Sequence, residues 1–112
     1  MRITYAIRFV SNMDLAVAFY RDKLGLPLKF SSPGWSEFSA GETTLALHPA
    51  TSDKPAGSLE LGFGVEDLQE FFTSKSANGV RFPMPPTKQD FGGMLARFED
   101  SEGALSSVGG LK

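Results

Sequence analysis

The apolar and polar positions first become regular between residues 11 and 30, where a helical stripe leads into a strand. The apolar members of the stripe recur at the helical period and are Met13, Ala16, Val17, Tyr20 and Leu24. Ser11 or Asn12 can cap the first turn, while Gly25 and Pro27 are typical of the end of a helix. These residues predict an amphipathic helix that packs on a sheet.

The rest of the first half has the alternation and the β-branched and aromatic content of short strands. The predicted strands are Ile3–Val10, Leu26–Ser31, Trp35–Ala40 and Thr43–His48. Turn residues separate the later strands, with Pro33-Gly34 before the third and Gly41-Glu42 before the fourth. The predicted order of the first half is therefore β-α-β-β-β.

A polar, proline-containing segment, Pro49–Gly57, lies near the middle of the chain and is predicted to be a linker. The same order of elements follows it. Asp67 can cap a second helix that closes at Asn78-Gly79, and Pro85-Pro86 is predicted to open a loop. The predicted strands of this half are Ser58–Val65, Val80–Met84, Leu95–Phe98 and Ala104–Val108.

The two halves correspond as copies of one unit. Val10 and Val65 are 55 residues apart, as are Asn12 and Asp67. Repeats of this length usually mean two copies of one supersecondary unit, and neither copy is large enough to bury a core alone. We therefore predict an α+β fold with two βαβββ modules that form a cupped mixed sheet around a cavity, with the helices outside. The modules are residues 1–50 and 57–112 of a single domain, 1–112, with the linker at 49–57.

Composition and charge exclude several classes of function. The chain has 112 residues, 41% hydrophobic and 21% charged, with a net charge of −2, as expected of an ordinary globular protein in solution. The charge and the absence of a basic stripe argue against a nucleic-acid partner. There is no cysteine, which excludes disulfides and thiolate chemistry. The sequence shows no signal peptide and no membrane-spanning run, so a cytoplasmic location without a membrane partner is expected.

Two motifs resemble the vicinal oxygen chelate superfamily, which contains glyoxalase I, extradiol dioxygenases and bleomycin-resistance proteins. The run Val17-Ala18-Phe19-Tyr20, followed by Leu24-Gly25-Leu26, resembles the first helix of that superfamily. The segment Phe98–Gly103 looks like its C-terminal turn, with Ser101 in place of proline. The paired βαβββ order agrees with this resemblance.

The resemblance also implies four strand positions that usually carry His or Glu as metal ligands. In this sequence those positions hold Tyr5, Ala46, Glu60 and Ser107, with His48 two residues beyond Ala46. A divalent ion prefers imidazole and carboxylate ligands, and a catalytic site needs about three of them. We therefore expect no metal cofactor, while Glu60 and His48 remain the possible ligands if a divalent ion binds.

Glu60 and His48 are also the candidate catalytic residues. His48 is the only histidine, so no multi-histidine site can form within one chain. It is either an acid–base or hydrogen-bonding group of a cavity or a half-exposed residue at the end of a strand. Glu60 lies in an otherwise apolar strand and is either a pocket group or a solvated one.

Several apolar residues fall where the superfamily often lines its ligand cavity. They are Trp35, Phe38, Phe91 and Met94, and together with Tyr5, His48, Glu60 and Ser107 they form the predicted ligand-binding set. Aromatic residues are equally at home in a core, so that alternative stays open for each of them.

The predicted function is the binding of a small organic or aromatic molecule, as in the non-metal bleomycin-resistance-like branch. The alternatives are a metal-dependent lyase or dioxygenase of the glyoxalase type, and a module with only an interaction role. The resemblance further implies a homodimer.

Overall fold

The computed structural model describes residues 1–111 and contains two copies of a β-α-β-β-β order. The strands are β1 Arg2–Val10, β2 Leu28–Ser31, β3 Ser36–Ala40, β4 Thr43–Pro49, β5 Leu59–Val65, β6 Met84–Lys88, β7 Met94–Glu99 and β8 Leu105–Gly110. The helices are α1 Met13–Ala18 and α2 Leu68–Ala77. The predicted α+β class with two βαβββ modules is confirmed. Lys112, the last residue of the second predicted module, lies outside the described residues.

The chain divides into two compact units. The N-terminal unit is Thr4–Glu60, and the C-terminal unit comprises residues 1–3 with the chain from Leu61 onward. The predicted linker, residues 49–57, lies inside the N-terminal unit. The organisation of the whole chain as one domain stays a prediction.

In the N-terminal unit the strands follow the order β2-β3-β4-β1. β3 pairs antiparallel with both β2 and β4, whereas β1 pairs parallel with β4. The N-terminal unit therefore mixes the two kinds of pairing, as predicted for a mixed sheet. The segment with α1 carries the chain from β1 to β2 at the other end of the order, and two antiparallel connections return it to β4 beside β1.

One face of this sheet packs on α1. The buried residues of this core are Val17, Phe38 and Leu47, and Met13, Ala16 and Tyr20 pack against them. The amide of Leu15 donates a 3.0 Å hydrogen bond to Oδ1 of Asn12, so Asn12 is the predicted cap of the helix. The helical stripe predicted from the sequence is thus the face that α1 buries, except at its last residue.

The predicted helix changes its winding after Ala18. Residues Phe19–Lys23 form a π-helical turn in which the amide of Leu24 donates to the carbonyl of Phe19. A π turn takes more residues than an α turn, so it shifts the later side chains around the axis. Leu24, predicted to extend the apolar stripe, is consequently 57% exposed.

Gly25 ends this segment in the left-handed region, with a φ of 75°, and a Cβ atom at this position would meet no neighbouring side chain or backbone atom within 4 Å. Because the obstacle to a side chain is backbone strain alone, we expect Gly25→Val to lower the free energy of unfolding by about 1–2 kcal/mol. The matched control is Gly34→Val, at an equally open glycine without a positive φ. Chemical denaturation of both variants tests this, and equal stability of the two would refute the strain argument.

The C-terminal unit repeats this arrangement with the order β5-β8-β7-β6. Its core consists of Val65, Leu68, Ala96 and Val108, with Phe63, Phe71, Phe82 and Phe98 packed against it. Asp67 caps α2 by accepting a 3.0 Å hydrogen bond from the amide of Glu70, as predicted. Most of the phenylalanines in this unit therefore pack in its core.

The sixth strand differs from the prediction. The sequence suggested a strand over Val80–Met84 and a loop from Pro85, whereas β6 is Met84–Lys88 and includes both Pro85 and Pro86. β6 stands at the end of the strand order of its unit and pairs irregularly with β7. Proline lacks an amide donor, and a strand with only one neighbour tolerates it.

Within residues 1–111, neither α1 nor α2 has the length and apolarity that would let it cross a membrane.

Candidate functional site

Three of the predicted site residues, Tyr5, Trp35 and His48, lie on the face of the N-terminal sheet opposite α1. Alternate residues of a strand share a face, so Tyr5, Ile7 and Phe9 of β1 lie together. The parallel register sets Ile7 beside Ala46 and Phe9 beside His48. Ile7, Phe9 and Ala46 form a small buried cluster against which Tyr5 and Trp35 pack.

Four rings follow one another across this face. The ring centroids of Tyr5 and Trp35 are 6.2 Å apart, those of Trp35 and His48 are 6.2 Å apart, and those of His48 and Phe9 are 5.1 Å apart. We call Tyr5, Trp35, His48 and Phe9 the aromatic row. The rings are tilted or edge-on rather than stacked, with interplanar angles of 53°, 81° and 51°.

Trp35 is fixed at both its backbone and its ring. Its amide donates to Oγ of Ser32, and that hydroxyl donates to the Trp35 carbonyl at 2.8 Å. The indole Nε1 donates a 2.8 Å hydrogen bond to Oε2 of Glu37. The ring is therefore preorganised, because a side chain held in this way loses less freedom on binding a ligand.

Tyr5 stands near the same carboxylate. Partial burial raises the pKa of the Tyr5 phenol above its ordinary value, and the negative charge of Glu37 raises it further. Tyr5 is therefore a neutral phenol at physiological pH. It can donate or accept a hydrogen bond, but it does not supply an anionic oxygen.

His48 is held in one tautomer by the backbone that follows it. Its Nδ1 lies 2.7 Å from the carbonyl oxygen of Pro49. A carbonyl only accepts, so Nδ1 carries the proton and donates. In the neutral imidazole, Nε2 is then the atom with a free lone pair, able to accept a hydrogen bond or a proton.

An ion pair lies next to Phe9. Glu60 of β5 is buried, with 2% of its side chain exposed, and its Oε1 lies 3.7 Å from Nζ of Lys54. The same Nζ lies 5.8 Å from the centroid of the Phe9 ring. Buried carboxylates need a positive or hydrogen-bonding partner. Lys54 provides the positive charge here.

Four of the predicted site residues therefore fall in this one neighbourhood. Tyr5, Trp35 and His48 belong to the aromatic row, and Glu60 joins it through Lys54 and Phe9. Phe9 and Lys54 were not predicted from the sequence. Phe9 could have been found, because it shares the strand face of Tyr5 at a spacing of four residues, whereas Lys54 reaches the site only through the folding of its loop.

Phe38 does not belong to this face, which corrects its prediction as a ligand-lining residue. It is fully buried on the α1 side and its ring centroid lies 5.8 Å from that of Tyr20. The register explains this, because Glu37 is opposite Ala46 and Phe38 is opposite Leu45, so the two neighbours point to opposite faces.

The remaining predicted residues lie in the C-terminal unit. Phe91 is 74% exposed in the turn between β6 and β7, and Met94 begins β7 as an exposed residue. Ser107 is buried in β8, opposite Gly62 and Arg97. Their roles in ligand binding stay predictions.

The residues present do not fit a metal centre of the kind found in the superfamily. Of the four corresponding positions, Tyr5 is a neutral phenol, Ala46 has no donor atom, Ser107 offers only a hydroxyl and Glu60 is already paired with Lys54. In the described residues, no three His, Cys, Asp or Glu side chains come together in a way that could hold an ion.

The comparisons with known proteins agree with the fold. The sequence model of the Glyoxalase/Bleomycin resistance protein/Dioxygenase superfamily matches residues 2–107. The chain therefore belongs to this superfamily.

Among curated proteins, the chain is similar to the uncharacterized protein YurT of Bacillus subtilis (strain 168). The two are 30% identical over 125 aligned residues, which cover 96% of this chain and 98% of YurT.

Solved structures show the same fold at lower identity. A structure from Legionella pneumophila, described as an NAD-dependent benzaldehyde dehydrogenase, is 24% identical, with a TM-score of 0.77, and the match covers 96% of this chain and 98% of that one. Streptomyces coelicolor methylmalonyl-CoA epimerase, in complex with 2-nitronate-propionyl-CoA, is 18% identical with a TM-score of 0.81, covering 98% of this chain and 94% of that one. At these identities the likeness establishes the fold and not the activity.

Proposed function

We propose that this protein binds a small organic molecule with a planar aromatic or unsaturated group, and that the aromatic row is its binding surface. The observation that carries the proposal is the uninterrupted succession of rings from Tyr5 through Trp35 and His48 to Phe9. The α1 side of the same sheet is instead covered by a helix, which buries Val17, Phe38 and Leu47.

The row combines apolar surface with a few polar groups that can orient a ligand. Each aromatic contact contributes about 0.5–1.5 kcal/mol beyond the burial of its area. The Tyr5 hydroxyl and Nε2 of His48 add hydrogen-bonding groups at two points of the row. Small-molecule sites commonly have this composition, in which mostly apolar walls carry a small number of fixed polar atoms.

The intrinsic fluorescence of the protein provides the test, because Trp35 is the only tryptophan. We expect titration with para-nitrobenzyl alcohol, a neutral nitroarene, to quench this fluorescence saturably. His48→Ala removes one of the two inner rings of the row and should weaken binding about tenfold, since it takes away one aromatic contact and one hydrogen-bonding group. The matched control is Phe19→Ala, an exposed ring on α1's side of the unit. Quenching that does not saturate, or that Phe19→Ala weakens as much as His48→Ala, would refute the proposal.

We also propose that the protein is a homodimer. Each unit leaves large apolar side chains exposed, with Leu15 and Leu24 in the N-terminal unit and Phe91 and Met94 in the C-terminal unit. Such residues commonly mark contact surfaces when they cluster. Light scattering should give twice the 12.1 kDa of one chain, and a particle of 12.1 kDa at micromolar concentration would rule the dimer out.

A further inference from the structure

The loop between β4 and β5 holds the ammonium group of Lys54 beside the aromatic row. Thr51 and Lys54 close a turn, since the Thr51 amide donates to the Lys54 carbonyl at 2.9 Å and the Lys54 amide donates to the Thr51 Oγ1 at 3.0 Å. The end of the loop is tied to β1. The amide of Gly57 donates to the carbonyl of Phe9 at 2.8 Å, and the Arg8 guanidinium donates to the carbonyl of Gly57 at 2.6 Å. Lys54 therefore projects from a fixed backbone.

The two members of the Lys54–Glu60 pair differ in their access to a ligand. The Glu60 side chain is 2% exposed, whereas that of Lys54 is 20% exposed. Their separation of 3.7 Å exceeds the length of a hydrogen bond. A molecule that lies on the aromatic row can therefore reach the ammonium and its N–H donors, while the carboxylate behind it is shielded from contact.

We propose that Lys54 is the anion-binding residue of this site, and that the ligand is an aromatic or conjugated carboxylate whose ring lies on the row and whose oxygens bind Lys54 Nζ. This inference rests on the proposed function, because it assumes that the row holds the ring. Beyond the proposed function, it specifies that the ligand is negatively charged. A ligand carboxylate at hydrogen-bond distance from Nζ is attracted by Lys54 and repelled by Glu60. The attraction is the stronger of the two, because Glu60 is farther away and because a Coulomb interaction falls with distance and strengthens when the groups are partly desolvated.

Glu60 has a defined part in this arrangement. It holds the ammonium over Phe9 and offsets its charge when no ligand is bound. Neutralising Glu60 should therefore strengthen the binding of an anion, whereas neutralising Lys54 should weaken it. A purely structural ion pair would give neither effect, since the loss of either partner would then affect only stability.

A matched pair of probes isolates the charge. The two probes are para-nitrobenzoate and para-nitrobenzyl alcohol, which share a ring and a nitro group and differ in the anionic carboxylate. Binding of both to the wild type and variants is measured by Trp35 fluorescence, and folding is checked by thermal melting. We expect the wild type to bind the carboxylate about tenfold more tightly than the alcohol, as one charge-assisted hydrogen bond provides.

Variants of Lys54 and Glu60 test whether this preference for the carboxylate depends on Lys54. Lys54→Gln should abolish it, Lys54→Arg should retain it, and Glu60→Gln should increase it about tenfold or more. Because Lys54→Gln removes a positive charge beside a buried carboxylate, the double variant Lys54→Gln/Glu60→Gln is included and should fold while showing no preference. Lys88→Gln, at an exposed lysine of β6, is the charge control and should behave as the wild type.

The outcomes separate this inference from the proposed function. If neither probe binds the wild type, the aromatic row is not a ligand site and both proposals fail. If both probes bind with equal affinity, or if the folded double variant keeps the preference for the carboxylate, the role of Lys54 is refuted while ring binding by the row stands.

Discussion

The Phe38→Ala variant is expected to lose about 3–5 kcal/mol of its free energy of unfolding, because it opens a cavity in the core between α1 and the sheet. Phe38 is fully buried there with Val17 and Leu47, and its ring lies against that of Tyr20. A small domain has only about 5–15 kcal/mol of stability in total, so this single change should consume a large part of it. Urea denaturation at low temperature measures the loss.

The same variant distinguishes a core residue from a ligand-binding residue. Phe38 lies on the face opposite the aromatic row, so the fraction of Phe38→Ala that remains folded should bind para-nitrobenzyl alcohol as the wild type does. Phe30→Ala, at an exposed phenylalanine of β2, is the matched control and should cost well under the core value. A Phe38→Ala protein that keeps its stability but loses ligand affinity would return Phe38 to the binding site.

The order of elements could be predicted because it depends on local signals. Asn12 and Asp67 cap the two helices, because each side chain accepts a hydrogen bond from a backbone amide three residues further along the chain. Gly25 and Gly79 end the two helical segments with positive φ, a conformation that glycine adopts without strain. Such residues act over four or five positions, so their effect can be read from the sequence.

The misplaced elements depend on interactions between segments. β6 forms across Pro85 and Pro86 because β7 supplies its pairing partner, which no local propensity indicates. The π turn after Ala18 is likewise invisible in a stripe that fits an α-helix through Leu24. In both places the tertiary structure prevails over the local preference.

The residues of the candidate site show the same contrast between local signals and interactions between segments. Tyr5, Glu60 and His48 were predicted because the resemblance to the superfamily implies ligand positions at or near them, and Trp35 because it also follows a turn. The face of Phe38 could not be inferred, since either parity of β3 gives a plausible strand, and only the register with β4 decides it. Lys54 was missed because its position depends on how a polar loop folds back over Phe9, and polar loop residues carry no periodic signal.

The purified protein is expected to carry well under one equivalent of zinc, nickel, iron or manganese. Glu60 and His48 are the two strong donors near the superfamily's ligand positions, and Glu60 is buried with the positive charge of Lys54 3.7 Å away. A divalent ion at that carboxylate would have to displace the ammonium or tolerate its repulsion. Tyr5 does not compensate, because burial and Glu37 raise the pKa of its phenol and keep its proton in place.

Elemental analysis of protein made without an affinity tag or a chelator provides the measurement, and EDTA should leave the melting temperature unchanged. A bound metal stabilises a folded protein in proportion to its occupancy and affinity, so a resident ion would reveal itself in that shift. Lys54→Gln is the informative variant, because removing the competing ammonium should raise zinc uptake above that of the wild type if electrostatic exclusion is the cause. The metalloenzyme alternative would instead be supported if the wild type carries stoichiometric metal and both Glu60→Gln and His48→Ala lose it. Glu60 would then be a metal ligand, and Lys54 would have no part in excluding the ion.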